Sequence, residues 1–212
     1  RYTFPKDVEK HVMINLKDAN GDDRPTDTYL EQINDTVIRG YRYSTGWSKK
    51  QQIYFSAVFS QPVHLTLYHD SVQVAGNRLQ GLDVKGNVAV APVVEELGVK
   101  VGISPVSMEN AMDNIGQEIK DWNFENIVAE TTGKWNAELS KLQVETTDTV
   151  AKRIFYTALY HAFMQPIMFN DCSGEYRGTD KNIYGDPGFT KYTVFSLRDT
   201  YRAAHPLYTL VQ

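Results

Sequence analysis

Cysteine is nearly missing from this 212-residue chain: Cys172 stands alone, so no disulfide can close within it. That leaves the compartment open, since many exported proteins of this size carry no disulfide. No apolar run approaches the length of a membrane-crossing helix. An excess of basic residues is missing too, and a formal charge of −4 gives no electrostatic footprint for nucleic acid. His11, His64, His69, His161 and His205 show no His-Glu-x-x-His or similar ligand spacing, so no zinc site can be argued. Gly174-x-x-x-Gly178 lacks the lysine of a phosphate-binding loop. Ser173 and Ser196 lack a nucleophile-elbow context, and Cys172 lacks a partner motif, which favours a structural thiol. The run Asp18–Asp23 has Asp23 and Tyr29 where an EF-hand needs Gly and Glu, so it reads as a solvated turn. There is no internal repeat and no low-complexity tract.

What is abundant is aromatic surface beside charge, concentrated late in the chain. Twelve Phe and Tyr residues fall between Phe155 and Tyr208, interleaved with Asp171, Glu175, Arg177, Asp180, Asp199 and Arg202. Sugar C–H faces stack on rings, and sugar hydroxyls need charged partners to recover the hydrogen bonds they lose from water. A polyhydroxylated ligand therefore suits this stretch. The acids Asp171, Glu175, Asp180 and Asp186 contain the elements of a glycosidase acid/base pair, although each alone reads as part of a polar, glycine-turned loop. Asp199 and Arg202, three apart, can form an exposed helical ion pair of small weight, or Asp199 can accept from a ligand hydroxyl.

Before about Pro105 the pattern is that of strands. Ile53–Phe59 is strand-like, Val63, Leu65 and Leu67 alternate, and Leu97, Val99, Val101 and Ile103 alternate again. Asn20-Gly21, Ala75-Gly76-Asn77 and Lys85-Gly86-Asn87 read as turns, which favours an antiparallel sandwich. After Pro105 the period becomes helical. Ser107 can cap a helix carrying Met108, Ala111, Met112 and Ile115. A second helix begins near Asp121, with Phe124, Ile127, Val128, Trp135, Leu139 and Leu142 as its stripe. A third runs from about Asp148 to Gln165, with Ile154, Phe155, Ala158, Leu159, Ala162 and Phe163. Tyr192–Ala204 looks helical, and Pro206 either kinks it or opens the next helix. Thr146–Thr149 is the best candidate for an interdomain joint. The chain opens at Arg1 without a signal-like segment and stops at Leu210-Val-Gln212 with no helix stop signal, so it reads as a piece of a longer protein.

Several of these motifs together resemble glycoside hydrolase family 92, the calcium-dependent exo-acting α-mannosidases. They are Gly40-Tyr-Arg-Tyr-Ser-Thr-Gly-Trp47, Lys100–Ser107 with Glu109-Asn-Ala111, Trp135-Asn136, Tyr176-Arg-Gly178 and Tyr192–Pro206, in collinear order over nearly the whole chain. The resemblance implies an α+β, multi-domain fragment. Residues 1–106 would be the later part of an N-terminal antiparallel β-sandwich, 107–147 a helical connector, and 148–212 the first helices of an (α/α)6 barrel. It implies an inverting hydrolase that removes terminal, α-1,2-linked mannose from glycans, with a Glu acid, an Asp base and a Ca²⁺ ion. The catalytic and calcium-binding motifs would lie downstream, leaving this stretch inactive alone. Asp199 matches the aspartate of a Trp-Asp-Thr motif that binds mannose where cleavage occurs, and Arg198 stands at the Trp position. Arg202, Tyr176, Arg177 and Asp180 join it as candidate substrate contacts. An exported location follows from the resemblance. The rival readings are a non-catalytic carbohydrate-binding sandwich module and a structural interaction fragment without sugar affinity.

Overall fold

The computed structural model of the chain describes residues 1–6, 8–185 and 187–211. Eleven strands come first: β1 (Tyr2–Thr3), β2 (Lys10–Asn15), β3 (Arg24–Asn34), β4 (Val37–Thr45), β5 (Gln51–Phe59), β6 (Val63–His69), β7 (Val72–Val74), β8 (Arg78–Gly81), β9 (Val84–Val90), β10 (Glu96–Leu97) and β11 (Val99–Ser104). Then follow α1 (Met108–Glu118), α2 (Phe124–Leu139), α3 (Thr149–Phe163), the hairpin β12 (Tyr176–Arg177) and β13 (Ile183–Tyr184), α4 (Leu197–Thr200) and α5 (Ala204–Val211). The α+β class read from the sequence holds, with antiparallel strands first and helices after.

Contacts divide the chain into two compact units, Arg1–Trp122 with Asp171–Gly188, and Asn123–Asn170 with Phe189–Gln212. In the first, a five-stranded sheet of order β11-β5-β4-β3-β8 and a four-stranded sheet of order β2-β9-β6-β7 enclose one core. Every pair in both sheets is antiparallel. Alternation supplies the inner faces: Leu30, Ile38, Ala57 and Phe59 from one sheet, Val63, Leu65, Leu67, Val84, Val88 and Val90 from the other. Gly86, expected in a turn, lies inside β9 instead. A Cβ there would run into the side chains of Leu30 and Leu65, so glycine serves close packing between the sheets.

The alternation of Leu97, Val99, Val101 and Ile103 spans two strands, and only its start is covered. Leu97 is fully buried and Val99 packs on the core, while Val101 and Ile103 lie exposed on the edge strand β11. The opposite face of that strand holds α1. Ser107 caps the helix, its Oγ accepting from the Asn110 amide at 3.0 Å, and Ala111 and Ile115 are buried beneath it. Gly102 makes the approach possible, since a Cβ would overlap the Ala111 carbonyl oxygen.

In the second unit Asn123 caps α2 and Asp148 caps α3, the latter accepting from the amides of Val150 and Ala151. The expected stripe of α2 is not deeply covered: none of its residues is buried, and Phe124 and Val128 are exposed. Of the α3 stripe, Leu159 is buried and Ile154 exposed. The expected helix over Tyr192–Ala204 shrinks to α4. Before it the chain is extended, with Phe169 N–H donating to Lys191 O and Thr193 N–H to Ile167 O. Thr193 Oγ1 also accepts from Ile167 N–H at 3.0 Å, a ladder that the β-branched and aromatic run Tyr192-Thr-Val-Phe195 favours over helix. Pro206 sits in the first turn of α5, where its missing N–H is harmless.

Candidate functional site

In the first unit, the loop beginning at Asp171 folds onto β11 and α1. Asp171, only 5% exposed, accepts from Ser104 Oγ at 2.6 Å, Asn110 Nδ2 at 2.9 Å and Asn114 Nδ2 at 2.9 Å. Its backbone N–H donates to Glu175 O, and the Glu175 carboxylate accepts from Asn110 Nδ2 at 2.8 Å. Cys172 N–H donates to Asn114 Oδ1, and burial, together with the neighbouring Glu118 carboxylate, pushes the Cys172 thiol above its ordinary pKa. A thiol so held is a poor nucleophile.

The loop continues into the β12–β13 hairpin, which brings Tyr176, Arg177 and Asp180 together. Tyr176 stacks on Tyr184 with ring centroids 5.4 Å apart. Arg177 donates from Nε to Pro105 O at 2.7 Å and from Nη1 to Lys181 O at 2.8 Å. Asp180 accepts from Tyr184 Oη at 2.6 Å and from the Asn182 side chain and backbone. The Tyr184 bond, followed by the Asn182 amide, holds the Asp180 carboxyl below its ordinary pKa. These groups are thus engaged in shaping the hairpin. Asp186 of the acidic set lies outside the described residues.

The outer face of the five-stranded sheet carries a second aromatic group that the sequence reading did not single out. Tyr29, Tyr41 and Tyr43 form a stacked row with centroids 5.5 and 4.4 Å apart, and Tyr54 meets it edge-on. Tyr41 Oη donates to Asp27 Oδ2 at 2.9 Å, and the Tyr43 and Tyr54 hydroxyls share a hydrogen bond of 2.6 Å. Burial first, then the bond to Asp27, pushes the Tyr41 phenol up to about 12. Tyr43 is raised as well, by burial and the bond to Tyr54, against an opposing pull from Arg177. The period-two spacing of Gly40-Tyr-Arg-Tyr43 was the available signal for this row.

In the second unit lie Arg198, Asp199 and Arg202, all exposed. Of the two readings open for Asp199, the ion pair with Arg202 does not form among the described residues. Arg202 donates from Nε to Tyr201 Oη at 2.6 Å, with its guanidinium 5.3 Å from that ring's centroid. Asp199 has a backbone bond to Ser196 O, and its carboxylate has no partner among the described residues. Nearby, Phe195, His205 and Tyr208 cluster, and Tyr208 Oη donates to Ala162 O and Gln165 O. Among the described residues no group of three His, Cys, Asp or Glu could hold a metal ion.

The model of the "Glycosyl hydrolase family 92 N-terminal domain" matches residues 1–104, and that of the "Glycosyl hydrolase family 92 catalytic domain" matches residues 110–212. Among solved structures, the chain is similar to the GH92 α-mannosidase BT3965 from Bacteroides thetaiotaomicron, with 33% identity and a TM-score of 0.90 over 97% of this chain and 29% of that one. That protein is also solved in complex with mannoimidazole, at the same identity and TM-score. The GH92 glycosyl hydrolase ccman5 is 26% identical with a TM-score of 0.84, over 93% of this chain and 27% of that one. The chain thus spans 29% or less of the length of each of these structures. No curated protein matches it.

Proposed function

The chain belongs to glycoside hydrolase family 92, and from that premise we propose that it is part of an exo-acting α-mannosidase releasing terminal mannose from glycans. The observation that carries the reading is the collinear match of both domain models, beside similarity to a solved α-mannosidase at a TM-score of 0.90. In this reading Asp199 accepts hydrogen bonds from mannose hydroxyls. Its carboxylate is exposed and has no described partner, so a charge-assisted bond to sugar replaces bonds to water without breaking one among the described residues. Arg198 and Arg202 flank it and supply donors.

The reacting carboxylates belong outside residues 1–212. Asp171, Glu175 and Asp180 are each held by hydrogen bonds within the first unit, which disfavours them as an acid/base pair that must trade protons with substrate and water. Inversion, preference for α-1,2 linkages, calcium and an exported location belong to the same proposal. Calcium would supply Lewis-acid contact with the sugar hydroxyls.

The test compares the full-length protein with residues 1–212 on an α-1,2-linked mannobioside, with and without chelator. Full-length protein should release mannose only with calcium, and the fragment should release none. Turnover by residues 1–212 alone would overturn the placement of the catalytic pair. A full-length protein that binds mannosides without cleaving them would favour the binding-module reading.

A further inference from the structure

Asp171 is a buried carboxylate whose hydrogen-bond partners include no cation among the described residues. Its donors are one hydroxyl and two amides: Ser104 from the end of β11, and Asn110 and Asn114 from successive turns of α1. Each donor is oriented by a further bond. Ser104 Oγ accepts from the amides of Val106 and Ser107, which commits its single proton to Asp171. Asn110 Oδ1 accepts from Ser107 Oγ, so its Nδ2 faces Asp171 and Glu175. Asn114 Oδ1 accepts from Cys172 N–H, so its Nδ2 faces Asp171 and Ile103 O. The network is directional: three donors converge on one acceptor that sits 57 to 67 residues away in sequence.

We propose that Asp171 is a positioning residue, fixing the β12–β13 hairpin on β11 and α1 so that Tyr176, Arg177 and Tyr184 are presented in one arrangement to a glycan. Four residues separate Asp171 from Tyr176, and the Asp171 and Glu175 contacts together hold this link at both ends. The Arg177 bond to Pro105 O then fixes the hairpin itself to the β11–α1 turn. The contribution to sugar binding rests on the mannosidase reading; the anchoring does not.

Asp171→Asn is the discriminating variant. It keeps the volume but turns an NH₂ toward donors, leaving buried groups unpaired. In residues 1–212, amide exchange at Gly178 and Lys181 should quicken by about tenfold or more, while amides of β4 and β5 stay unchanged. Ser104→Ala, which removes one donor, should act in the same direction more weakly. In the full-length enzyme Asp171→Asn should raise KM for the mannobioside by about tenfold with kcat within about twofold. Unchanged hairpin exchange in Asp171→Asn overturns the anchoring. Quickened exchange with unchanged KM, in an enzyme that is active as wild type, overturns the role in glycan presentation. If the wild type cleaves no mannoside, the mannosidase reading fails, while quickened exchange still upholds the anchor.

Discussion

At the scale of single residues, an acid's bonding state separates scaffold from candidate ligand contact. Asp171, Glu175, Asp180 and Asp199 share one aromatic, charged stretch of the sequence, yet the first three each accept side-chain hydrogen bonds, and Asp199 alone of the four is exposed with no described partner for its carboxylate. A carboxylate that touches nothing contributes little to stability, and exposed substitutions of this kind stay within about 0.5 kcal/mol. A carboxylate that binds a sugar hydroxyl contributes to the reaction instead. Asp199→Ala should therefore leave the melting temperature of the full-length protein unchanged and lower kcat/KM on an α-mannoside by about tenfold to a hundredfold, the range of a lost charge-assisted bond. A variant with undiminished kcat/KM removes Asp199 from the site.

At the scale of elements, the tyrosine row on the five-stranded sheet makes a pH-dependent contribution of definite sign. The Tyr41 phenol is raised from 10.0 to about 12 because burial, and then the bond to Asp27, favour its neutral form in the fold. A raised folded pKa means this contribution is fully present below the unfolded value of 10.0 and is lost as pH rises through about 12. Tyrosine ¹³Cζ titration by NMR, with Tyr41→Phe for assignment, should find Tyr41 titrating well above the exposed tyrosines. Asp27→Asn should bring it part of the way back, burial remaining. Titration of Tyr41 at the ordinary value would refute this account of the row. Of the strands that carry it, β5 was legible in the sequence as the strand-like run Ile53–Phe59, while β3 and β4 were not singled out; in the other sheet Val63, Leu65 and Leu67 alternate, and alternation is a local property. The cap at Ser107 was legible for the same reason. What was not legible depends on distant partners. Gly86 reads as a turn until Leu30 and Leu65 close on it, and Asp171 reads as loop until Ser104, Asn110 and Asn114 surround it. Tyr192-Thr-Val-Phe195 carries helix-compatible spacing and strand-favouring residues, and pairing with Ile167–Phe169 decided between them.

At the scale of the whole chain, the two units differ in how much apolar surface they bury. The first holds a continuous core between two sheets, with Leu30, Ile38, Leu67, Leu97, Val84 and Val88 fully covered. In the second, Leu159 is the one described apolar side chain that is buried, while Ile154, Met168, Val194, Leu197 and Leu210 are all more than half exposed. Each large side chain taken fully out of water contributes roughly 1.5–3 kcal/mol, so the units cannot share one stability. Hydrogen exchange on residues 1–212 should resolve them. Amides of β4, β5 and β9 should open only with global unfolding of the sandwich, and those of α2 and α3 should exchange at least about a hundredfold faster by local opening. Equal protection in α2, α3 and the sheets would show that the helices draw on a stabilisation their burial does not account for. The expected ordering has a consequence for sugar binding, because Asp199 belongs to the less protected unit. A mannose analogue that contacts Asp199 must order that unit before it gains the bond, and the cost of ordering subtracts from affinity. Residues 1–212 should then bind mannoimidazole at least about tenfold more weakly than the full-length protein, measured by calorimetry, with α3 protection rising as the ligand is added.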